Sequence, residues 1–199
     1  MKKTLVISAY TCCGKTYATK HFADKYSILD LNSLDFKYTT RYPNVEEIEA
    51  ERKHWESTLH LLSTETHLYN FKNKPILTRN PDFQNDYIQN IKENIGKYDI
   101  IFINSDLKIR EALSKSGIDF VTVYPYEDYL TDWVGRMYLR EDTDVCIKNQ
   151  IAQWKHNMKD IQNEPCGDRL FRLPYNGERY ISRYMIEFCF TFEEGINRR

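Results

Sequence analysis

The chain has no apolar stretch approaching the 18 residues of a membrane span, and no excess of charge of either sign. Against 28 Lys and Arg stand 29 Asp and Glu, a formal net charge of −1. No global field therefore draws it to nucleic acid or an anionic membrane, and any polyanion site has to be local. No internal repeat or low-complexity segment interrupts its 199 residues. Its five cysteines are odd in number and irregular in spacing, with Cys12 and Cys13 adjacent, which excludes a disulfide framework and fits a reducing compartment. After Met1, Lys2 and Lys3 come only about six strand-like residues, too few for a secretory segment. The expectation is a cytoplasmic protein without a membrane partner or a stable nucleic-acid complex.

What is present is material for one core. Hydrophobic residues are 41% and aromatic residues 14% of the chain, spread along its length, so it is expected to fold as a single domain over residues 1–192, followed by a polar tail at 193–199. Thr4 to Ala9 reads as a strand, 11–14 as a tight loop, and Thr16 to Tyr26 as a helix with Ala18 and Phe22 at helical spacing. Ser27 to Leu31 is a second short apolar run with Asp30 near its end. From Asn44, the positions Val45, Ile48, Arg52, Trp55, Leu59, Leu62, Thr66 and Tyr69 step by three and four, which predicts one long helix opened by an Asn44–Glu47 capping box. That stripe is short for a coiled coil, so monomer and homodimer both stay open. Further helices are expected over 81–95, after Asp106, over 127–140 and over 143–161, with strands at 98–103, 119–124 and 169–173. Asn176–Gly177 marks a turn. Strands alternating with helices predict an α/β fold, a parallel sheet covered on both faces.

The sharpest motif is Ala9-Tyr10-Thr11-Cys12-Cys13-Gly14-Lys15-Thr16, set between the first strand and the first helix. A loop of this pattern wraps a phosphate chain with backbone N–H groups. Its Lys neutralises β and γ oxygens, and its Thr hydroxyl holds Mg²⁺. Gly14, Lys15 and Thr16 satisfy the pattern, whereas Ala9 stands where the first glycine is expected and brings a Cβ to the bend. The cofactors so implied are ATP and Mg²⁺.

The loop, Asp30, the helical excursion, the strands at 98–103 and 119–124 and the segment YEDYLTDWVGRMYLR together resemble the nucleoside-monophosphate-kinase branch of P-loop kinases, and more narrowly small kinase-like proteins of bacteriophages and prophages. The resemblance covers most of residues 1–185. It implies five parallel strands in the order 2-3-1-4-5, an excursion over about 35–90 that encloses the phosphate acceptor, and a helical lid over about 126–145. The implied activity is ATP-dependent phosphoryl transfer to a nucleoside monophosphate, a deoxynucleotide first of all. A kinase for a nucleoside or a nucleic-acid 5′ end, and a nucleotide-binding regulator without catalysis, are the alternatives.

Arg136 and Arg140, four residues apart, can reach one anion together and stabilise a transferring phosphoryl group, or can form surface ion pairs with Asp132 and its acidic neighbours. Asp30 is read as a catalytic carboxylate that orients an acceptor hydroxyl, contacts a sugar or holds a Mg²⁺-bound water, with a helix cap or turn residue as its alternative and Asp35 as a weaker rival. Asp106 reads equally as a carboxylate facing Mg²⁺ through water or as a helix cap. Arg41 and Arg79, flanking the excursion, are candidates for an acceptor phosphate. Tyr42 and Phe83 are weaker candidates for a base, and Trp55, Trp133 and Trp154 are core by default. The histidines show no zinc-ligand spacing.

Overall fold

The computed structural model describes residues 3–58, 64–163, 170–173 and 181. The expected turn at Asn176–Gly177, the closing segment and the polar tail lie outside them.

Two units divide the chain, Met1–Ser33 with Gln84–Arg199 in one and Leu34–Phe83 in the other. The first is built on a five-stranded sheet of β1 (Leu5–Ala9), β2 (Ile28–Asp30), β5 (Ile100–Asn104), β6 (Phe120–Tyr124) and β7 (Leu170–Arg172). Each pairing is parallel and the order is 2-5-1-6-7. The expected order, 2-3-1-4-5, counted five strands. Among the described residues there are two more, β3 (Tyr38–Arg41) and β4 (Ile76–Arg79), which pair with each other and belong to the second unit.

β1 lies at the centre with every residue buried, which is why it reads as a continuous apolar run without alternation. Its odd-numbered residues Leu5, Ile7 and Ala9 pack in one cluster with Ala18 of α1 (Lys15–His21), Trp133 of α7 (Leu130–Leu139), and Trp154, Met158 and Ile161 of α8 (Asp144–Gln162). The opposite face, with Val6, Ile101 and Phe120, is as fully buried. Apart from the first cluster, α5 (Phe83–Asn94) and α6 (Leu107–Lys115) bury Tyr87, Ile91, Ile109 and Leu113, so helices cover both faces. Side chains pin the strand ends: Ser27 donates from both its N–H and its hydroxyl to Asp99, each at 2.8 Å, at the head of β2 and β5. Among the described residues no helix is long and apolar enough to cross a membrane.

In the second unit, a four-residue helix α2 (Leu34–Lys37) leads into the antiparallel ribbon of β3 and β4, and between those strands run α3 (Val45–Thr58) and α4 (Thr64–Asn73). The single long helix expected from Asn44 is therefore two helices folded onto each other. The Trp55 and His67 rings stack with centroids 3.5 Å apart, and His67 Nε2 lies 2.7 Å from Glu51. Twelve residues of one straight helix would hold those rings about 18 Å apart. The capping box forms: Glu47 N–H donates to Asn44 Oδ1 at 2.9 Å, and Asn44 N–H donates to Glu47 at 3.0 Å. Arg41 grips the same carboxylate with two bonds of 2.6 Å, and this guanidinium, then the Asn44 N–H, hold the Glu47 carboxyl down to about 2.

Candidate active site

β1 ends at Ala9, and the chain must then turn into α1 within five residues. Gly14 makes that entry at φ 91°, a backbone state open to glycine. A second left-handed residue is Cys12, at φ 58°. Ala9 keeps a negative φ, so the bend that a first glycine was expected to serve is made at Cys12, and the Ala9 methyl packs into the core. Alternating signs of φ along a loop turn successive N–H groups toward one concavity. The N–H groups of Gly14, Lys15 and Thr16 have no acceptor among the described residues, and α1 has no side-chain cap.

Neighbouring elements hold this loop in shape. The Tyr10 N–H donates to the Val123 carbonyl at 2.9 Å, fastening the loop to the end of β6. Its phenol is buried against α8, where it donates to Gln150 at 3.1 Å and accepts from Asn157 at 3.2 Å; burial raises its pKa. Trp133, fully buried, donates Nε1–H to the Thr11 carbonyl at 2.7 Å. Treating Trp133 as plain core missed this anchor, because its partner is 122 residues away and leaves no local signal.

Among the described residues, three cations meet at the loop. Lys15 bends back so that Nζ donates to the Ala9 carbonyl at 3.1 Å, and burial, opposed by Cys13 and Asp30, lowers its pKa. Arg136 donates to the Cys12 carbonyl at 3.3 Å, lies over the Trp133 ring at 4.2 Å and pairs with Asp132 at 3.2 Å. Arg140 donates to the Thr11 hydroxyl at 3.1 Å and is held by Asp142 through two bonds, which raise its pKa. Each arginine has its carboxylate partner, and each reaches the loop. Asp142 was not singled out from the sequence, although its position two residues after Arg140 places it there.

These groups line a cleft of about 380 Å³ formed by Cys12, Gly14, Lys15, Thr16, Tyr17, Arg136, Leu139 and Arg140. The Thr16 hydroxyl donates to Asp30 Oδ2 at 2.9 Å, so the tip of β2 stands beside the loop. A hydroxyl beside a carboxylate is a hard oxygen pair that suits Mg²⁺, a cation that keeps several waters and takes phosphate oxygens as further ligands. Asp106, read from the sequence as either a metal neighbour or a helix cap, is seen here as a cap. Asp106 caps α6 by accepting from the Lys108 N–H at 3.0 Å, and the Thr16 hydroxyl turns to Asp30.

Arg41 and Arg79 both lie in the second unit and do not converge. Arg41 pairs with Ile76 and Arg79 with Tyr38, at opposite ends of the ribbon. Cross-strand partners share a face and odd steps change face, so the two arginines also point to opposite sides.

The first unit is thus an α/β unit, a five-stranded parallel sheet flanked by helices in which β1, a tight Gly-Lys-Thr turn and α1 follow one another. No protein-family model matches the sequence, and no curated protein matches it. Among solved structures it is similar to a gluconokinase from Sinorhizobium meliloti 1021. That likeness spans 98% of this chain and 96% of that one, at 14% sequence identity and a TM-score of 0.48, a level that carries no inference about chemistry.

Proposed function

We propose that this chain is an ATP-dependent kinase that transfers the terminal phosphoryl group of MgATP to a nucleoside monophosphate, deoxynucleotides included. The observation that carries the reading is the meeting of Lys15, Arg136 and Arg140 around one cleft with the N–H groups of Gly14, Lys15 and Thr16, which have no acceptor among the described residues. Three cations and three oriented donors suit a polyphosphate and little else.

In this reading Lys15 leaves the Ala9 carbonyl and takes β and γ oxygens, which repays the desolvation of its ammonium group. The backbone donors fix the phosphate chain in place. Arg136 and Arg140 are already oriented by Asp132 and Asp142, so they meet developing charge on the transferring group with little reorganisation. Thr16 and Asp30 are the residues that would hold Mg²⁺, directly or through its waters; when bound, the ion neutralises phosphate charge and fixes the phosphate geometry. A phosphate acceptor is ionised at neutral pH and needs positioning more than a general base, so Asp30 has no required proton to remove.

The acceptor identity draws on the sequence resemblance. Within the second unit, the ribbon face that carries Tyr38 and, across from it, Arg79 offers an aromatic ring beside a cation. Arg79 suits the acceptor phosphate better than Arg41, whose guanidinium Glu47 already grips. The test is ADP release by the purified chain with MgATP and a panel of ribo- and deoxynucleoside monophosphates, nucleosides and 5′-hydroxyl oligonucleotides. Release stimulated by monophosphates supports the proposal. Stimulation by another acceptor alone overturns the acceptor assignment, and tight MgATP binding with no acceptor dependence favours a regulator.

A further inference from the structure

The cleft has two chemistries. One side is the loop with its cations. The other is apolar and wet: Tyr17 is 51% exposed and Leu139, at the end of α7, is 87% exposed. Neither side chain contributes to the core cluster, and so large an exposure leaves apolar area in water that a ligand would cover. The Tyr17 ring is not loose. It stacks on His21, one turn further along α1, with centroids 3.6 Å apart and planes 17° apart, and His21 Nδ1 lies 3.1 Å from the Tyr17 carbonyl oxygen. A ring braced in this way has little rotamer freedom left to lose when a second ring stacks on it.

We infer that Tyr17, braced by His21 and flanked by Leu139, is the platform for the purine base of the nucleotide whose phosphates the loop takes. The inference rests on the phosphate-loop reading and adds the site at which the nucleoside end is held. Chain order supports it. Lys15 and Thr16 face the phosphate chain, Tyr17 is the next residue, and the same cleft runs from the one to the other. A base is a flat apolar face with no charge of its own, and it suits an aromatic ring and a leucine as the phosphates suit Lys15 and the two arginines. Exposed rings at helical spacing are otherwise surface residues, and it is the shared cleft that sets Tyr17 apart from Tyr69 or Tyr42.

The test compares two probes by calorimetric titration, MgATP and magnesium tripolyphosphate, which has the same phosphate chain and no base. Tyr17→Ala is expected to weaken MgATP binding about tenfold and to leave tripolyphosphate binding within about twofold, while Tyr17→Phe keeps both near the parent values. Retained tripolyphosphate binding also reports a folded loop. If Tyr17→Ala binds MgATP as tightly as the parent, or weakens both probes alike, the platform is overturned while the loop reading stands. If the parent binds neither probe, the loop reading fails and the platform with it.

Discussion

The hydroxyl of Thr16, second residue of α1, donates to the carboxylate of Asp30, last residue of β2, at 2.9 Å. Fourteen residues of helix and connection return the chain so that a loop hydroxyl and a strand-end carboxylate meet at the edge where parallel sheets bind ligands. Thr16→Ala and Asp30→Asn are each expected to lower kcat/KM about a hundredfold and to raise the Mg²⁺ concentration needed for half-maximal rate, with little loss of stability. A Mg²⁺ titration of the rate checks this. An unchanged metal requirement in both variants removes the pair from the metal site.

The two arginines separate stability from chemistry. The Arg136 side chain is 13% exposed, bonded to the loop and stacked on Trp133, so Arg136→Ala should cost about 1–2 kcal/mol in urea unfolding as well as activity. The Arg140 side chain is 51% exposed, and its removal should cost less than about 1 kcal/mol while kcat falls about a hundredfold. Lysine should restore neither, since the two-bond grip on Asp142 and the stacking on Trp133 need a planar guanidinium. Equal kcat for Arg140→Ala and parent contradicts its role.

The adjacent cysteines should behave differently. Cys13 is fully buried, and burial pushes its thiol up to about 12; Cys12 lines the cleft with its pKa raised, chiefly by burial. Alkylation followed by peptide mass spectrometry should find the exposed Cys146 first, Cys12 next and Cys13 last, with MgATP slowing the reaction of Cys12. The native Cys13 keeps its proton at pH values where the unfolded thiol, near 9.0, has lost it. Its stabilising share is therefore intact below pH 9.0 and is withdrawn as pH rises toward about 12. Urea midpoints at pH 7 and pH 10 should show the decline, and Cys13→Ala should flatten it.

The loop was legible because its signal is local: a strand, Gly-Lys-Thr and a helix follow one another between Leu5 and His21. The sheet strands were legible for a related reason, since buried parallel strands such as Ile100–Asn104 appear as solid apolar runs. The ribbon was not. Tyr-Thr-Thr-Arg and Ile-Leu-Thr-Arg are exposed along nearly their whole length and lack the apolar alternation that announces a strand. The break between α3 and α4 was hidden because an apolar stripe at helical spacing continues across it, and it takes tertiary contacts, His67 with Trp55 and with Glu51, to show that the chain turns back. Asp106 could be read from sequence as cap or metal neighbour, and its bond to the Lys108 N–H, two residues on, is the local one an N-cap makes. Trp133 differs: its spacing announces burial but not the carbonyl it holds, 122 residues away.

The central claim is that Lys15 exists to meet a phosphate chain. Its ammonium is desolvated by burial, which lowers its pKa and is a cost to the fold below that pKa, relieved as pH rises through it. Lys15→Met should therefore unfold at a temperature at least as high as the parent when no ligand is present. The decisive measurement is acceptor-dependent ADP release from MgATP by this variant beside the parent. A fall of about a hundredfold or more in a folded protein is the predicted result, and turnover within about tenfold of the parent's would contradict the account.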